Sequence, residues 1–208
     1  MEEGFLKRYT ELPFLIYMLR RRKLTLVSPD SWEDRNDAHF MLSYQRRRQC
    51  GSVLALCFTF TSETFHHWKV FSGSRSGVCI DLDINRFRDW QQLNQGLRFQ
   101  KVDYLKLPEA REGGFEVYEL PFVKRHAYRD ECEMRLVYEA QEPELKAIDL
   151  DFDLAPIRRV VLSPWLPDSV ACEVKAEIRG IDGCENMEIT RTTLLENTEW
   201  KRHGDNCA

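Results

Sequence analysis

The sequence predicts an α+β fold, a single domain in which a central mixed or antiparallel sheet is flanked by helices. Two observations lead there. Apolar runs of strand length outnumber helical patterns, and the two kinds do not alternate in the βα order of a doubly wound sheet. Neither G-x-G-x-x-G nor G-x-x-x-x-G-K-S/T occurs, which removes the dinucleotide fingerprint and the P-loop. At 208 residues, with 43% apolar and 31% charged side chains and a net charge of -4, the chain has the composition of a globular domain that holds its core without disulfides or metal. The domain is expected over residues 1–199, with a flexible tail over 200–208.

The elements follow from periodicity and punctuation. Residues 5–10 read as a short strand or turn. Residues 12–22 read as a helix with Leu15, Met18 and Leu19 on one face and a basic end, Arg20 to Lys23, suited to the helix C-terminus. A strand over 24–27 stops at Ser28-Pro29-Asp30, and a helix over 37–49 ends in Arg46, Arg47 and Arg48. VLALCFTF (53–60) is the clearest buried strand, and GVCIDL (77–82) is another. Residues 64–71 suit a helix or tight turn. Strands over 99–105 and 134–139 bracket a helix at 114–129. A strand over 157–163, a helix over 169–179 capped by Ser169 and a strand over 187–192 complete the order.

Several function classes drop out. The longest apolar stretches, such as residues 14–19, are too short to span a bilayer, and Met1-Glu2-Glu3 is no signal-peptide start. A cytoplasmic protein without a membrane partner is expected. The seven cysteines form no C-x-x-C pair, which speaks for a reducing compartment and against a zinc ribbon. His66 and His67 are adjacent rather than at ligand spacing, and no metal is expected.

Four segments can carry chemistry. Glu131 and Glu133, one residue apart before a strand, fall on one face by the period of two. Such a pair can stabilise an oxocarbenium-like transition state or position a nucleophile. It can equally sit in a solvated turn, paired with Arg129 and Arg135. The run from Ser62 to Gly73 places Trp68 and Phe71 at i, i+3 beside His67, as a core face or a wall on which a base or nicotinamide stacks. Ser28, Trp32, Asp34 and Asp37 lie in a loop where Asp and Asn cap the next helix. Arg8-Tyr9-Thr10 offers a guanidinium that can hold a phosphate.

In this order, the segments resemble the bacterial domain of unknown function 2971 family. The residues that carry the resemblance are Arg8-Tyr9-Thr10, Leu24 to Ser28, Trp32-x-Asp34-x-x-Asp37, Cys57 to Ser62, Trp68-x-x-Phe71, Gly77 to Ile80, Phe122-x-Lys124 and Tyr128-x-x-Glu131-x-Glu133-x-Arg135-Leu136. Tyr128 stands where that family has Trp. The chain also resembles arginine-type ADP-ribosyltransferases, which have an early aromatic-Arg, a Ser-Thr-Ser strand and a late Glu-x-Glu. Here these are Arg8, Phe60-Thr61-Ser62 and Glu131-x-Glu133.

That second resemblance implies NAD as substrate, with Arg8 on its phosphates and Thr61 and Ser62 ordering the ribose pocket. Glu133 would stabilise the oxocarbenium ion and Glu131 would position the acceptor. Tyr9, Trp68 and Phe71 would wall the nicotinamide. It implies an ADP-ribosyltransferase or NAD-glycohydrolase acting on a nucleic-acid or protein acceptor, as a toxin or phage-defence effector. The reading set against it is a non-catalytic module that binds a nucleotide, a nucleic acid or a partner protein, with the two basic runs on one face.

Overall fold

The computed structural model describes residues 5–72 and 74–205. The elements run β1 (Phe5–Glu11), α1 (Leu12–Arg21), β2 (Lys23–Val27), α2 (Arg35–Arg48), β3 (Ser52–Thr59), α3 (Phe65–His67), β4 (Gly77–Asp83) and α4 (Ile84–Leu93). They continue β5 (Leu97–Lys101), β6 (Asp103–Leu105), α5 (Leu107–Gly113), β7 (Val123–Arg125), β8 (Glu133–Ala140), β9 (Ala147–Asp151), β10 (Ile157–Leu162), α6 (Asp168–Arg179), β11 (Glu188–Arg191) and α7 (Thr198–Asp205). Nine strands make a mixed sheet in the order β11-β10-β4-β1-β3-β2-β9, with β8 and then β5 added beside β3. Only β10 and β11 pair in parallel within it, so the predicted α+β fold with a helix-flanked mixed sheet is the one observed.

The sheet is held together unevenly. β1 pairs with β4 over seven registered residues, and β3 pairs with β8 over eight. Between these two halves, β1 meets β3 at Lys7↔Thr59 alone, and β2 meets β3 at Val27↔Ala55 alone. One edge of β3 is therefore largely unpaired and the strands beside it part. The apolar face under the halves is shared. Phe87 of α4 packs against Phe58 and Phe99 at 4.9 and 5.0 Å and against Trp90 at 5.3 Å. The spacing Ile84, Phe87, Trp90 turns one face of α4 into this core, a helical signal present in the sequence.

Some expectations give way. The helix expected over 114–129 is absent. Gly114 takes a positive φ of 64°, Pro121 removes a backbone donor, and the segment forms two 3-10 turns around β7. The strand expected over 99–105 is split, because the Val102 amide bonds to the Glu133 carbonyl and β6 leaves the sheet to pair with β7. Residues 198–205, where a tail was expected from residue 200, form α7 with no buried residue. The rest of that expected tail, with Cys207, lies outside the described residues. The six described cysteines are free thiols. No helix among the described residues is long and apolar enough to cross a membrane.

Candidate active site

Where β1 and β3 part, a cleft of about 590 Å³ opens. Lys7, Arg8 and Tyr9 of β1 line one side, and residues 55–59 of β3 line the other. The Arg8 guanidinium closes part of the gap, with Nη1 donating to the Cys57 carbonyl at 3.2 Å, a group that has no strand partner there. Burial lowers the Arg8 pKa to about 10, which leaves it a cation at neutral pH.

The far end of the cleft is a buried charge cluster. Glu131 ends a 3-10 turn, Cys132 follows in the left-handed region at φ 44°, and Glu133 opens β8. The two carboxylates do converge, but through this turn rather than through the pleat of a strand. Lys124 Nζ lies 2.6 Å from Glu131, 3.4 Å from Glu133 and 3.7 Å from Asp37. It also sits over the Tyr128 ring at 4.8 Å. Arg135 forks onto Glu133 and onto Asp37. Three carboxylates thus meet two cations, and one negative charge is left over in a site where low dielectric magnifies it.

The two glutamates differ in their titration. Burial works against the charge of Glu133, but Arg135 outweighs it, with Lys124 in support, and its pKa falls to about 2. Burial dominates at Glu131, and its pKa rises although Lys124 opposes the shift. Lys124 is pushed up, because Glu133 and Glu131 overcome the cost of its burial. The solvated-turn reading keeps its Glu133–Arg135 pair but fails on solvation and on Arg129. Glu131 pairs with Lys124, while Arg129 pairs with Asp130 instead.

Of the residues singled out in the sequence, Arg8, Tyr9, Trp32, Asp34, Asp37, Phe71, Glu131 and Glu133 line this one cleft. Asp34 caps α2, accepting from the Asn36 and Asp37 amides, which aims the first turn of that helix at the cluster. Ser28 caps the 3-10 turn at Pro29 one step back from the wall. Arg135 is wholly buried beneath the cleft. His67 packs its ring against Tyr9 and Phe71 at 5.7 and 5.5 Å, behind the wall, and burial lowers its pKa. Trp68 is fully buried with Nε1 on Glu63 at 2.6 Å, so it supports Tyr9 edge-on rather than facing the cleft.

Thr10, Thr61 and Ser62 are not among the lining residues, and Ser62 is exposed. β3 ends two residues before Thr61, and the hydroxyl at its end belongs to Thr59. Thr59 Oγ1 donates to the Glu131 carbonyl at 2.6 Å and accepts from the Thr61 amide at 3.1 Å. At the end of β3 the structure thus brings Thr59 to the cleft, and not Thr61 or Ser62.

Lys7, Cys57, Thr59 and Lys124 also line the cleft, and sequence reasoning assigned none of them a role. Lys124 was visible only within the Phe122-x-Lys124 motif; nothing near it in sequence marks its partners. Each basic run has a member in an ion pair, while Arg20, Arg21, Arg46 and Arg47 are exposed. Lys23 pairs with Asp151 and Arg48 with Glu139. Among the described residues, no group of His, Cys, Asp and Glu could hold a metal ion.

No protein-family model matches the chain, and the resemblance to the domain of unknown function 2971 family gains no support. No curated protein matches it either. Two solved structures share its fold. One is Thermus sp. 2.9 DarT in complex with ADP-ribosylated ssDNA, with TM-score 0.51 and 14% identity over 95% of this chain and 98% of that one. The other is the same protein in complex with NAD+, with TM-score 0.50 and 12% identity over 95% and 99%. The chain thus shares the fold of DarT.

Proposed function

We propose that this chain binds NAD in the cleft between β1 and β3 and cleaves the nicotinamide–ribose bond, passing ADP-ribose to an acceptor. The observation that carries this reading is the meeting of Arg8 with Glu131 and Glu133 across the opening in the sheet. A volume of about 590 Å³ is in the range of small-molecule and cofactor sites. Arg8, with Lys7 beside it, is suited to the pyrophosphate, and Tyr9 and Phe71 offer ring faces to the nicotinamide.

Glycosidic cleavage leaves positive charge on the ribose while neutral nicotinamide departs with the bonding electron pair. Glu133, ionised and held from behind, accepts a hydrogen bond from a ribose hydroxyl and stabilises that charge. The acceptor then bonds to the anomeric carbon and loses a proton. Glu131, with its raised pKa, is the better proton acceptor of the two.

DarT of the same fold is known with NAD+ and with ADP-ribosylated ssDNA, which supports NAD as substrate and a nucleic acid as acceptor. A protein acceptor, or water in a glycohydrolase, would use the same first step. An intracellular toxin or phage-defence effector is the biological role that fits this chemistry.

The deciding experiment measures nicotinamide release by the wild type and by Glu133→Ala, with and without single-stranded DNA. Release by the wild type alone, together with transfer of ADP-ribose to the DNA, is the expected result. Binding of NAD without release by either protein would make this a nucleotide-binding module and end the catalytic reading.

A further inference from the structure

Arg135 is fully buried and never reaches the cleft, yet it determines how Glu133 is presented there. Its Nε and Nη2 donate to the two oxygens of Glu133 at 2.7 and 3.0 Å. Its Nη1 and Nη2 donate to the two oxygens of Asp37 at 2.9 and 2.7 Å, and Nη1 also donates to the Pro121 carbonyl at 2.8 Å. A guanidinium has five N–H donors, and all are used here. The Trp32 ring lies 4.8 Å from its centre. The loop from Trp32 to Asp37, to which the transferase resemblance assigns no task, thus cages one arginine.

Stability alone is a poor reason for such an arrangement. Burying a charge network costs several kcal/mol of desolvation, about what its Coulombic gain returns, and apolar replacements of similar volume are often no worse. What an apolar side chain could not do is fix the direction and charge of a carboxylate at the cleft floor. Asp37 matters to this as a second anchor. With only Glu133 bound, the guanidinium could pivot; held by both carboxylates, it cannot. After Arg135 and Lys124, Glu133 has about one acceptor position left of the four on its oxygens, faced by the weak thiol donor of Cys57 and so open to a stronger one.

We propose that Arg135 is the positioning residue for Glu133, and that Asp37, set by the Asp34 cap of α2, locks the guanidinium so that Glu133 offers the cleft an ionised carboxylate with one open acceptor site. The clause about substrate, a ribose hydroxyl in that open site, rests on the NAD reading above. The groups facing Glu133 are Arg135 on its own strand, Asp37 from α2, Lys124 from β7, Glu131 from the preceding turn and the Cys57 thiol from β3. Tyr104 of β6 accepts the Glu133 amide at 2.8 Å.

The test combines ¹³C NMR of carboxyl-labelled glutamate with steady-state nicotinamide release, for the wild type, Arg135→Lys and Asp37→Asn; Glu133→Gln assigns the signal. In the wild type, Glu133 stays ionised down to the lowest pH at which the fold persists. In Arg135→Lys its midpoint is expected to rise by about one pH unit or more; Asp37→Asn also removes a like charge beside Glu133, so there the midpoint is expected to stay low and the fall in kcat is the readout. The kcat is expected to fall about 10–100-fold with KM for NAD nearly unchanged, the mark of an outer residue that orients an inner one. Asp37→Asn keeps shape and keeps Arg135, so it reports even where Arg135→Lys loses the fold. A Glu133 midpoint that stays put in folded Arg135→Lys, or a kcat for Asp37→Asn that matches the wild type, overturns the positioning role. A midpoint that moves in a protein that releases no nicotinamide upholds the positioning role and sinks the NAD reading instead.

Discussion

Lys7 and Thr59 make the single pair by which β1 touches β3 among the described residues, and both line the cleft that opens beyond them at Arg8. If the ladder continued, Arg8 and Tyr9 would face Phe58 and Cys57 backbone to backbone. Instead the strands separate, and the Arg8 side chain takes up the Cys57 carbonyl. The opening in the sheet and the placing of a cation in it are one structural event.

Arg8→Met should therefore act mainly on ligand binding. It keeps the length of the side chain and removes a charge-assisted contact of about 1.5–3 kcal/mol, so NAD affinity should fall roughly 10–100-fold. Titration calorimetry reads this directly. Unchanged affinity in a folded Arg8→Met variant would remove Arg8 from the phosphate site.

Glu133 also sets a pH dependence for the fold. Its pKa of about 2 in the folded chain lies below the ordinary 4.5, so its stabilising contribution is present above pH 4.5 and is lost as pH falls toward 2. Glu133→Gln should cost on the order of 3 kcal/mol at pH 7, and the gap to wild type should narrow in acid. Urea midpoints at pH 7, 5 and 3.5 measure it; a gap that stays constant across the three would show that the carboxylate charge is not what stabilises the fold.

Much of this was legible because it is written in local pattern. VLALCFTF is apolar and β-branched enough to read as a strand, and all but its last residue lies in β3, while Leu15, Met18 and Leu19 bury the face that their spacing marks. Arg8, Glu131 and Glu133 could be named because each carries its chemistry on its own side chain. The rest depends on distance in space. Arg135 and Asp37 are 98 positions apart, and no periodicity pairs them. Thr59 was passed over for Thr61 and Ser62 because the strand end moves by a residue or two with tertiary contacts. Residues 114–129 carry helix-forming side chains, but Gly114 and Pro121 decide otherwise.

Phe87→Ala separates core from site. The ring packs against Phe58, Trp90, Phe99 and Phe152 and lines no part of the cleft. Truncation should cost about 3–5 kcal/mol, seen as a lower urea midpoint. Nicotinamide release per folded molecule should stay within roughly twofold of wild type, because Phe87 itself lines no part of the cleft and reaches its wall only by way of Phe58. A large fall in specific activity at full folding would mean that the core beneath β3 helps shape the cleft.

Lys124→Met tests the charge balance of the cluster. The methionine fills most of the volume but leaves Asp37 and Glu133 on Arg135 alone among the described cations and takes from Glu131 its Lys124 partner. Breaking a buried pair from one side costs about 3–5 kcal/mol, and the loss should fall chiefly on the ionised form of Glu131. Its pKa is already raised by burial and rises further once Lys124 is gone. A raised carboxyl pKa penalises the fold above that pKa and not below the ordinary value, so the deficit should be largest at pH 7 and shrink as pH falls through 5 toward 4.5. This is the opposite of a general acid sensitivity. Urea midpoints for wild type and variant over that interval decide it, and a deficit that grows in acid would place the lost stability somewhere other than Glu131.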